Sequence, residues 1–357
     1  MSKKRIDAIR RKMLAENLDG VIVTHLDHVR YLCGYTGSSG MLALTRSQAE
    51  FFTDFRYKEQ AAKEVKGARI NIIKGVPTAA LKDFPAFNVS NRRYGYNGEY
   101  LTVAGLNSLK KDIPKALFVG ADAIFADLGW VKDPQEIADI AKAADIADKA
   151  FERVLPLVKP GIRESEVAAE LEYQMIMLGS QKAAFESIVA SGYRSALPHG
   201  VASQKKIQKG DFVTFDFGAT VNGYVSDMTR TVVVGKAAPK QKKIYTIVLK
   251  ANKAGISRVK AGVSGKAVDA VCRRIITKAG YGKEFGHGTG HGIGFYVHVG
   301  PRVSPISEDK LMTNNVLTIE PGIYIPGWGG VRIEDDVVVT RTGCRVLTKA
   351  PKNLLEL

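Results

Sequence analysis

Two aspartates that flank an Asn-Gly pair have the residue type and the spacing of paired metal ligands. Asn222-Gly223 is the pair most favoured in two-residue hairpin turns, and it predicts that opposed residues have numbers summing to 445. Asp216 then lies opposite Thr229, and Asp227 is its diagonal neighbour on the same face. Two such carboxylates repel each other unless a cation lies between them. A hairpin with two outward-facing aspartates would explain this segment equally well when it is taken alone.

A second predicted hairpin also ends an apolar strand with a carboxylate. Its strands are residues 316–320 and 331–335. Strand alternation places Thr318 with Glu320 on one face and Arg332 with Glu334 on one face. Taken alone, this segment is explained by a surface ion pair between Arg332 and Glu334.

Histidines cluster in and around a glycine-rich segment between the two hairpins. Residues 286–294 contain five glycines, which excludes a stable helix and therefore the helical zinc motif with two histidines one turn apart. Four of the six histidines lie beside glycine or apolar strand residues, at positions 199, 287, 291 and 298. Together with the four carboxylates, they predict one joint metal and acid–base site.

The elements that would position these residues repeat along the second part of the chain. Helices over 134–155 and 164–178 precede strands over 185–190, 212–219 and 224–234. Helices over 240–258 and 264–279 precede strands near 285 and over 316–320 and 331–339. This repeat predicts two related halves that face each other with the site between them.

The first part of the chain reads as a separate small α/β domain. It alternates a helix over 3–17, strands over 21–24, 41–44 and 50–53, and a helix over 56–66. The segment from Asp133 to Glu136 has an acidic N-cap, proline at the first helical position and glutamate at N3, which is a strong helix start. We therefore predict an α/β (α+β) protein with domains over 1–125 and 130–357.

Composition indicates a globular protein of the reducing cytoplasm. The chain has 357 residues, 45% hydrophobic and 25% charged, without a run of roughly 18 apolar residues that could span a membrane. The amino terminus lacks the apolar segment of a signal peptide. The three cysteines, Cys33, Cys272 and Cys344, are widely spaced and odd in number, which suggests no disulfide framework.

The net charge of +16 is divided evenly between the two parts. Residues 1–132 carry 21 basic and 13 acidic side chains, and the remainder carries 31 and 23. The densest basic run, Lys236–Lys243, has no interleaved aromatic residue on which a base could stack. We interpret the excess as a solvated surface, with binding to nucleic acid as the less favoured alternative.

These residues resemble the metallopeptidases that include methionine aminopeptidase, aminopeptidase P and prolidase. The resemblance covers about residues 134–345 and rests on the motifs around His199 (SALPHG), Asp227 (SDMTR), His291 (residues 286–291), Glu320 (EPG) and Glu334 (VRIED). It implies a "pita-bread" catalytic domain of two pseudo-symmetric halves. The first 120 residues resemble the amino-terminal domain of the creatinase, aminopeptidase P and prolidase branch.

The resemblance assigns a role to each candidate residue. Two divalent ions, manganese or cobalt first and zinc or iron(II) as alternatives, would be held by Asp216, Asp227, His291, Glu320 and Glu334. Glu320 would also accept a proton from the attacking water, and His199 and His298 would donate to the scissile carbonyl and the neighbouring peptide. His287 would line the proline pocket, and Arg332 and Thr229 would orient the ligands from behind.

The same resemblance predicts cleavage before proline. A bond to proline lacks the N–H that general peptidases hold, so a dedicated pocket is needed. Arg302 would bind the free carboxylate of a dipeptide, which favours an Xaa-Pro dipeptidase over an Xaa-Pro aminopeptidase that takes longer peptides. Val299 departs from the family, where an acidic residue is common. The branch also implies a homodimer acting on small proline-containing peptides, and a metal-free creatinase-like hydrolase or a non-catalytic binding module are the rival interpretations.

Overall fold

The computed structural model describes residues 2–357 and divides the chain into two compact units, Met1–Gly129 and Trp130–Leu357. Each unit has its own apolar clusters of buried side chains. Across residues 2–357, none of the helices combines the length and the apolar character that crossing a bilayer requires.

The first unit is a six-stranded mixed sheet flanked by helices. The strand order is β4-β3-β2-β1-β5-β6, in which β3–β4, β1–β5 and β5–β6 are parallel pairs. The strands are β1 (Gly20–Val23), β2 (Met41–Thr45), β3 (Ala49–Asp54), β4 (Arg69–Ile73), β5 (Arg93–Tyr96) and β6 (Leu117–Gly120). The helices are α1 (Ser2–Ala15), α2 (Leu26–Cys33), α3 (Lys58–Glu64), α4 (Val103–Asp112) and α5 (Asp122–Phe125).

The second unit begins with the helix that the sequence predicted most sharply. Asp133 accepts hydrogen bonds from the backbone N–H groups of Gln135 and Glu136, and the Glu136 side chain accepts one from the Asp133 N–H. This capping box starts a 21-residue helix because it pairs N–H groups that a helix end otherwise leaves unpaired.

Two helix pairs are each followed by a hairpin. The first half of the unit contains α6 (Pro134–Val154), α7 (Glu164–Met177), β7 (Ile188–Ser191), β8 (Phe212–Phe217), β9 (Thr220–Val221), β10 (Tyr224–Val225) and β11 (Met228–Val233). The second half contains α8 (Pro239–Arg258), α9 (Gly265–Lys278), β12 (Gly290–Gly292), β13 (Val299–Val303), β14 (Val316–Ile319), β15 (Gly322–Ile325), β16 (Gly329–Arg332), β17 (Asp335–Val339) and β18 (Cys344–Val346).

The first hairpin has the predicted register. Val221 pairs with Tyr224, and Asp216 pairs with Thr229, so the numbers of both pairs sum to 445. Asn222 and Gly223 have φ values of 48° and 77°, as both central residues of a type I′ turn require. Pairing is interrupted between β8–β11 and β9–β10, and Asp227 lies at that interruption.

The second hairpin is interrupted in the same way. Ile319 pairs with Asp335, and Gly322 pairs with Arg332, so one register continues across both ladders. Glu320 and Glu334 lie in the gap between the ladders. Three of the predicted metal ligands therefore lie where their strands stop pairing, where a side chain can turn away from the regular pleat.

The end of each hairpin contacts the histidine-bearing loop of the other half. In the first hairpin, Val225 N–H donates to the Gly294 carbonyl at 2.9 Å. In the second, Gly330 N–H donates to Ser195 Oγ at 2.8 Å, and Arg332 Nη1 donates to the Pro198 carbonyl at 3.1 Å. The two halves are thus joined through the segments that carry the site.

One predicted strand is misplaced. The strand expected near residue 285 is a short 3₁₀ helix, Gly282–Glu284, followed by irregular chain, and pairing begins only at β12. Phe285 is buried in an apolar cluster, so its burial reflects packing in that cluster rather than membership of a strand.

Candidate metal centre

A cavity of about 500 Å³ in the second unit brings most of the predicted site residues together. Its volume lies within the range of roughly 300–1,000 Å³ that is usual for small-molecule sites. The predicted residues that line it are Asp216, Asp227, His291, Glu320, Glu334, His199, His287, His298 and Arg332. The other lining residues are mostly small or apolar, namely Phe185, Glu186, Ile188, Pro198, Val201, Gly288, Gly290 and Val297.

The two aspartates of the first hairpin each carry a buried oxygen without a hydrogen-bond partner. These oxygens are Asp216 Oδ1 and Asp227 Oδ1. An unpartnered oxygen on a buried carboxylate is costly, and a bound cation would remove that cost. The donor set therefore fits a divalent metal.

His291 faces the carboxylates with an unprotonated nitrogen. Its Nε2 lies 3.4 Å from Glu320 Oε1 and 3.7 Å from Asp227 Oδ2. Its Nδ1 lies 3.2 Å from the Gly292 carbonyl, which only accepts, so Nδ1 carries the proton and the Nε2 lone pair is free. Burial and the nearby His298 lower the pKa of His291 to about 3.

Three side chains have one potential ligand atom each within 4.8 Å of the others: Asp227, His291 and Glu334. This is the spacing of groups around a common ion. Carboxylate oxygens with one imidazole nitrogen suit manganese, cobalt, iron(II) or zinc.

Three carboxyl groups of the site, those of Asp227, Glu320 and Glu334, have raised pKa values. Burial raises the pKa of Asp227 and Glu334, and their carboxylate neighbours raise both further. Burial also raises the pKa of Glu320 to about 8, although Arg332 opposes this effect. Several carboxyls forced together in a dry pocket have this property when no cation compensates their charge, and it marks a candidate functional site.

Arg332 holds Asp216 rather than Glu334. It is 4% exposed, and its guanidinium donates to Asp216 Oδ2, to Thr229 Oγ1 at 2.9 Å and to Tyr324 Oη at 2.8 Å. Thr229 Oγ1 in turn donates to Glu334 Oε2 at 2.6 Å. The surface ion pair between Arg332 and Glu334 is not formed, and a buried relay through Thr229 links the two hairpins instead.

His287 is held at the end of the same network. Tyr324 Oη accepts from Arg332 and lies 2.9 Å from His287 Nε2, while His287 Nδ1 lies 2.7 Å from the Gly288 carbonyl. Burial lowers the pKa of His287 to about 4. The ring is therefore neutral and fixed in orientation.

His199 and His298 project into the cavity from exposed positions. The His298 ring lies 4.3 Å from the His291 ring, centroid to centroid. Burial lowers the pKa of His298, and the nearby His199 lowers it further. Both rings line the same cavity as the carboxylates.

Arg302 is the one predicted substrate-binding residue outside the cavity lining. Its side chain is exposed on β13, and its backbone N–H donates to Asp309 Oδ2 at 2.8 Å. Its role as a carboxylate anchor stays a prediction.

Sequence reasoning missed the residues that support the site from outside the motifs. Asp269 on α9 is 1% exposed, accepts from Thr289 and pairs with Arg273, and Arg273 donates to the His287 carbonyl at 2.7 Å. On α7, Glu164 is fully buried and anchors a loop of the first half. A charged residue on the buried face of a predicted helix is the one signal that could have found either.

Profiles of known protein families match both units of the chain. A profile of metallopeptidase family M24 matches residues 138–341, and one of the creatinase/prolidase N-terminal domain matches residues 5–128. An Xaa-Pro dipeptidase of Pyrococcus horikoshii is 39% identical over 99% of each chain. The structure of an Xaa-Pro dipeptidase from Bacillus anthracis superposes with a TM-score of 0.97, at 42% identity over 100% of both chains. An X-Pro aminopeptidase from Thermotoga maritima has a TM-score of 0.90 at 35% identity, covering 97% of this chain and 100% of its own.

Proposed function

The chain belongs to metallopeptidase family M24, and from that premise we propose that it hydrolyses the peptide bond before proline in Xaa-Pro dipeptides. One observation carries the proposal: five side chains of metal-ligand type and three further histidines line a single cavity. A metal-free creatinase-like hydrolase or a binding module would not require all five metal-ligand side chains.

Asp216, Asp227, His291, Glu320 and Glu334 would hold two divalent ions. When bound, these ions act as Lewis acids that make a water molecule more acidic and the scissile carbonyl more electrophilic. Glu320 accepts the proton of the attacking water, since its carboxyl lies within the ligand group. His199 donates a hydrogen bond to the scissile carbonyl oxygen as it becomes negatively charged, and His298 donates to the neighbouring peptide.

The cavity wall supports a small apolar substrate. Phe185, Ile188, Val201 and Val297 supply apolar surface, and the neutral His287 ring is fixed by Tyr324. A proline ring offers apolar surface and no N–H, so a wall with few donors suits it.

An Xaa-Pro aminopeptidase is the second candidate, and the position of Arg302 favours it. A dipeptidase needs a cation for the free carboxylate of proline. Within residues 2–357, Arg332 is the only arginine that lines the cavity, and it is already hydrogen-bonded to four groups. The similarity to dipeptidases over the whole chain supports the first candidate.

We further propose manganese or cobalt as the metal, a homodimer as the assembly and the cytoplasm as the location. The oxygen-rich donor set supports the first. Cys33, Cys272 and Cys344 are unpaired thiols, which supports a reducing compartment. For the dimer, support comes from the resemblance of the first unit to the amino-terminal domain of this branch.

A substrate panel tests the activity. Metal-stripped protein is reloaded with manganese, cobalt, zinc or iron(II) and assayed on Xaa-Pro dipeptides, on Xaa-Pro-Xaa tripeptides and on matched peptides with alanine in place of proline. We expect turnover of the proline dipeptides that a chelator abolishes and metal restores. Turnover that survives chelation, or that is equal for alanine peptides, would contradict the proposal.

The carboxylate anchor is tested by Arg302→Ala. If Arg302 binds the free carboxylate of proline, kcat/KM for dipeptides falls by about tenfold or more while that for tripeptides changes little, as expected for loss of a charge-assisted hydrogen bond. Lys310→Ala, an exposed residue shortly after β13, is the control. Equal losses on both substrates would remove the anchor and leave the aminopeptidase assignment.

A further inference from the structure

A buried carboxylate at the start of α7 gathers hydrogen-bond donors from a single loop. Glu164 is 0% exposed. Its Oε1 accepts from Ser191 N–H at 2.7 Å and from Ser191 Oγ at 2.8 Å. Its Oε2 accepts from Arg194 Nε at 2.9 Å, from Ser203 N–H at 3.1 Å and from Ser203 Oγ at 2.6 Å.

These donors lie at the two ends of the segment 191–203, in which Ser191 is the last residue of β7 and residues 192–203 form what we call the His199 loop. Ser191 and Arg194 lie where the loop begins after β7, and Ser203 lies at the opposite end of the loop. A second contact crosses the base of the loop, because Arg194 Nη2 donates to the Val201 carbonyl at 2.6 Å. Glu164 therefore fastens both ends of the loop to one helix.

The His199 side chain has little else to set its direction. It is exposed, and its ring makes no hydrogen bond to another residue of the described range 2–357. Its backbone is held by Val201 N–H, which donates to the His199 carbonyl at 2.9 Å, and by Arg332, which donates to the Pro198 carbonyl. The position of the ring thus depends on the backbone of the loop, and the backbone depends on the fastening at its base.

We propose that Glu164 is a positioning residue for the reaction: it fixes the His199 loop so that the His199 ring meets the scissile carbonyl. This inference rests on the proposed function, in which His199 donates to that carbonyl. Glu164 touches neither substrate nor metal, and it is absent from the cavity lining. Its effect on catalysis passes through His199.

Replacement by glutamine tests the carboxylate without changing its shape. Both oxygens of Glu164 accept from a backbone N–H as well as from a side chain. A glutamine amide has one oxygen, which can accept these hydrogen bonds, and one NH₂ group, which cannot. In either orientation of the amide, Glu164→Gln would therefore place its NH₂ group against a backbone N–H that has lost its acceptor. One end of the loop is then released, and a displacement of about 1 Å at a reacting group costs on the order of a hundredfold in rate.

A double-mutant cycle on the metal-loaded enzyme separates this role from a general structural one. The chains are wild type, Glu164→Gln, His199→Ala and the double variant, with Glu172→Gln on the same helix as control. We expect Glu164→Gln to lower kcat by about tenfold or more with a small change in KM. In the His199→Ala background it should lower kcat by less than about twofold, since interacting residues are non-additive.

Metal content and amide hydrogen exchange complete the experiment. Glu164→Gln should keep its bound metal and exchange faster at Ser191, Val201 and Ser203, whereas Glu172→Gln should match the wild type. Ser203→Ala, which removes one donor and keeps the carboxylate, gives a smaller loss of the same kind if Glu164→Gln folds poorly.

Two results would overturn the proposal. One is an equal loss of kcat from Glu164→Gln in the wild-type and His199→Ala backgrounds, and the other is unchanged exchange in the loop. A His199→Ala variant with full activity would instead overturn the assigned role of His199. In that case Glu164 has no catalytic group to position.

Discussion

At the residue scale, the candidate ligands depend on neighbours that never reach the substrate. Thr229 is the clearest case: it is fully buried, accepts from Arg332 Nε and donates to Glu334 Oε2. Its hydroxyl links Arg332, which holds Asp216, to the carboxylate of Glu334. Groups in this position orient a ligand and fix which of its lone pairs faces the metal.

Removal of the Thr229 hydroxyl should therefore weaken metal binding. Thr229→Val leaves Glu334 Oε2 without its donor while keeping the shape of the side chain, and we expect a loss of about 10–100-fold in metal affinity. Competition against a metal-sensitive dye measures it. Thr229→Ser keeps the hydroxyl and should bind metal within about threefold of the wild type; if both variants bind equally well, the hydroxyl has no such role.

Lys132 gives a prediction about pH. It is 2% exposed, and burial lowers its pKa to about 7 from 10.5, although Glu136 opposes the shift. Between these values the unfolded chain binds a proton that folded Lys132 does not. This group therefore makes the protein more stable as the pH rises from about 7 towards 10.

Thermal unfolding of Lys132→Met against the wild type isolates this group. The melting temperature of the wild type should rise relative to that of the variant between pH 7 and pH 9. Lys142→Met, at an exposed position on α6, should show a constant difference from the wild type. A constant difference for Lys132→Met as well would contradict the depressed pKa.

The sequence identified most of the side chains that line the cavity but few of the residues that support them. Asp216 and Asp227 were identifiable because the Asn-Gly turn predicts that they share one face of a hairpin. Glu320 and Glu334 were identifiable because a carboxylate at the end of an apolar strand is unusual. Glu164 and Asp269 were missed, because a single acidic residue in a helix is ordinary and its burial depends on residues that are distant in the chain. The ion pair between Arg332 and Glu334, which explained the second hairpin taken alone, is not formed, because alternation along one strand cannot show that Asp216, 116 residues away, accepts from Arg332 instead.

At the element scale, glycines determine how closely the histidine-bearing strand approaches its neighbour. A Cβ at Gly290 would lie 2.0 Å from the Thr318 carbonyl oxygen, whereas one at Gly286 would meet nothing within 4 Å. Both glycines belong to the segment whose composition excluded a helix. The strand expected near residue 285 was misplaced because this segment carries almost no apolar alternation, so its pairing is set by close backbone contact rather than by side chains.

Alanine at these two glycines should have opposite consequences. Gly290→Ala forces β12 away from β14 and moves the adjacent His291, so we expect a loss of about 1–3 kcal/mol in the free energy of unfolding together with weaker metal binding. Gly286→Ala should stay within about 0.5 kcal/mol of the wild type. Denaturant unfolding and metal titration measure both, and equal behaviour of the two variants would contradict the close approach.

The register of the first hairpin was predictable to the residue because the Asn-Gly turn fixes it. The interruption of each ladder was not, since nothing in the sequence marks where two strands stop pairing. These interruptions allow the side chains of Asp227, Glu320 and Glu334 to depart from the regular alternation of a strand. Local rules therefore determined the elements, and the ligand geometry came from the meeting of two hairpins.

At the scale of the whole molecule, bound metal should contribute strongly to stability. The second unit buries several carboxyl groups close together. Burial raises the pKa of Asp227 and Glu334, and repulsion from the neighbouring carboxylates raises both further. At a free metal concentration of about 100 times Kd, binding adds about 2.7 kcal/mol. Chelation should lower the melting temperature, as calorimetry with and without chelator would measure.

A companion variant distinguishes the site from other metal binding. Asp227→Asn removes one buried charge, so the metal-free variant should melt higher than the metal-free wild type. Its melting temperature should respond little to chelator. A chelator effect in the variant as large as in the wild type would show that the stabilising ions bind elsewhere.

The crossed contacts between hairpin ends and histidine loops have a consequence for how such a molecule can be divided. The end of the hairpin in residues 212–233 supports Gly294, and the end of the hairpin in residues 316–339 supports Ser195. If the chain were cut near Gly235, each fragment would lack the hairpin that holds its own histidine-bearing loop. Co-expressed fragments would regain function only by complementation, and an ancestor consisting of one such fragment would have needed a second copy of itself to work.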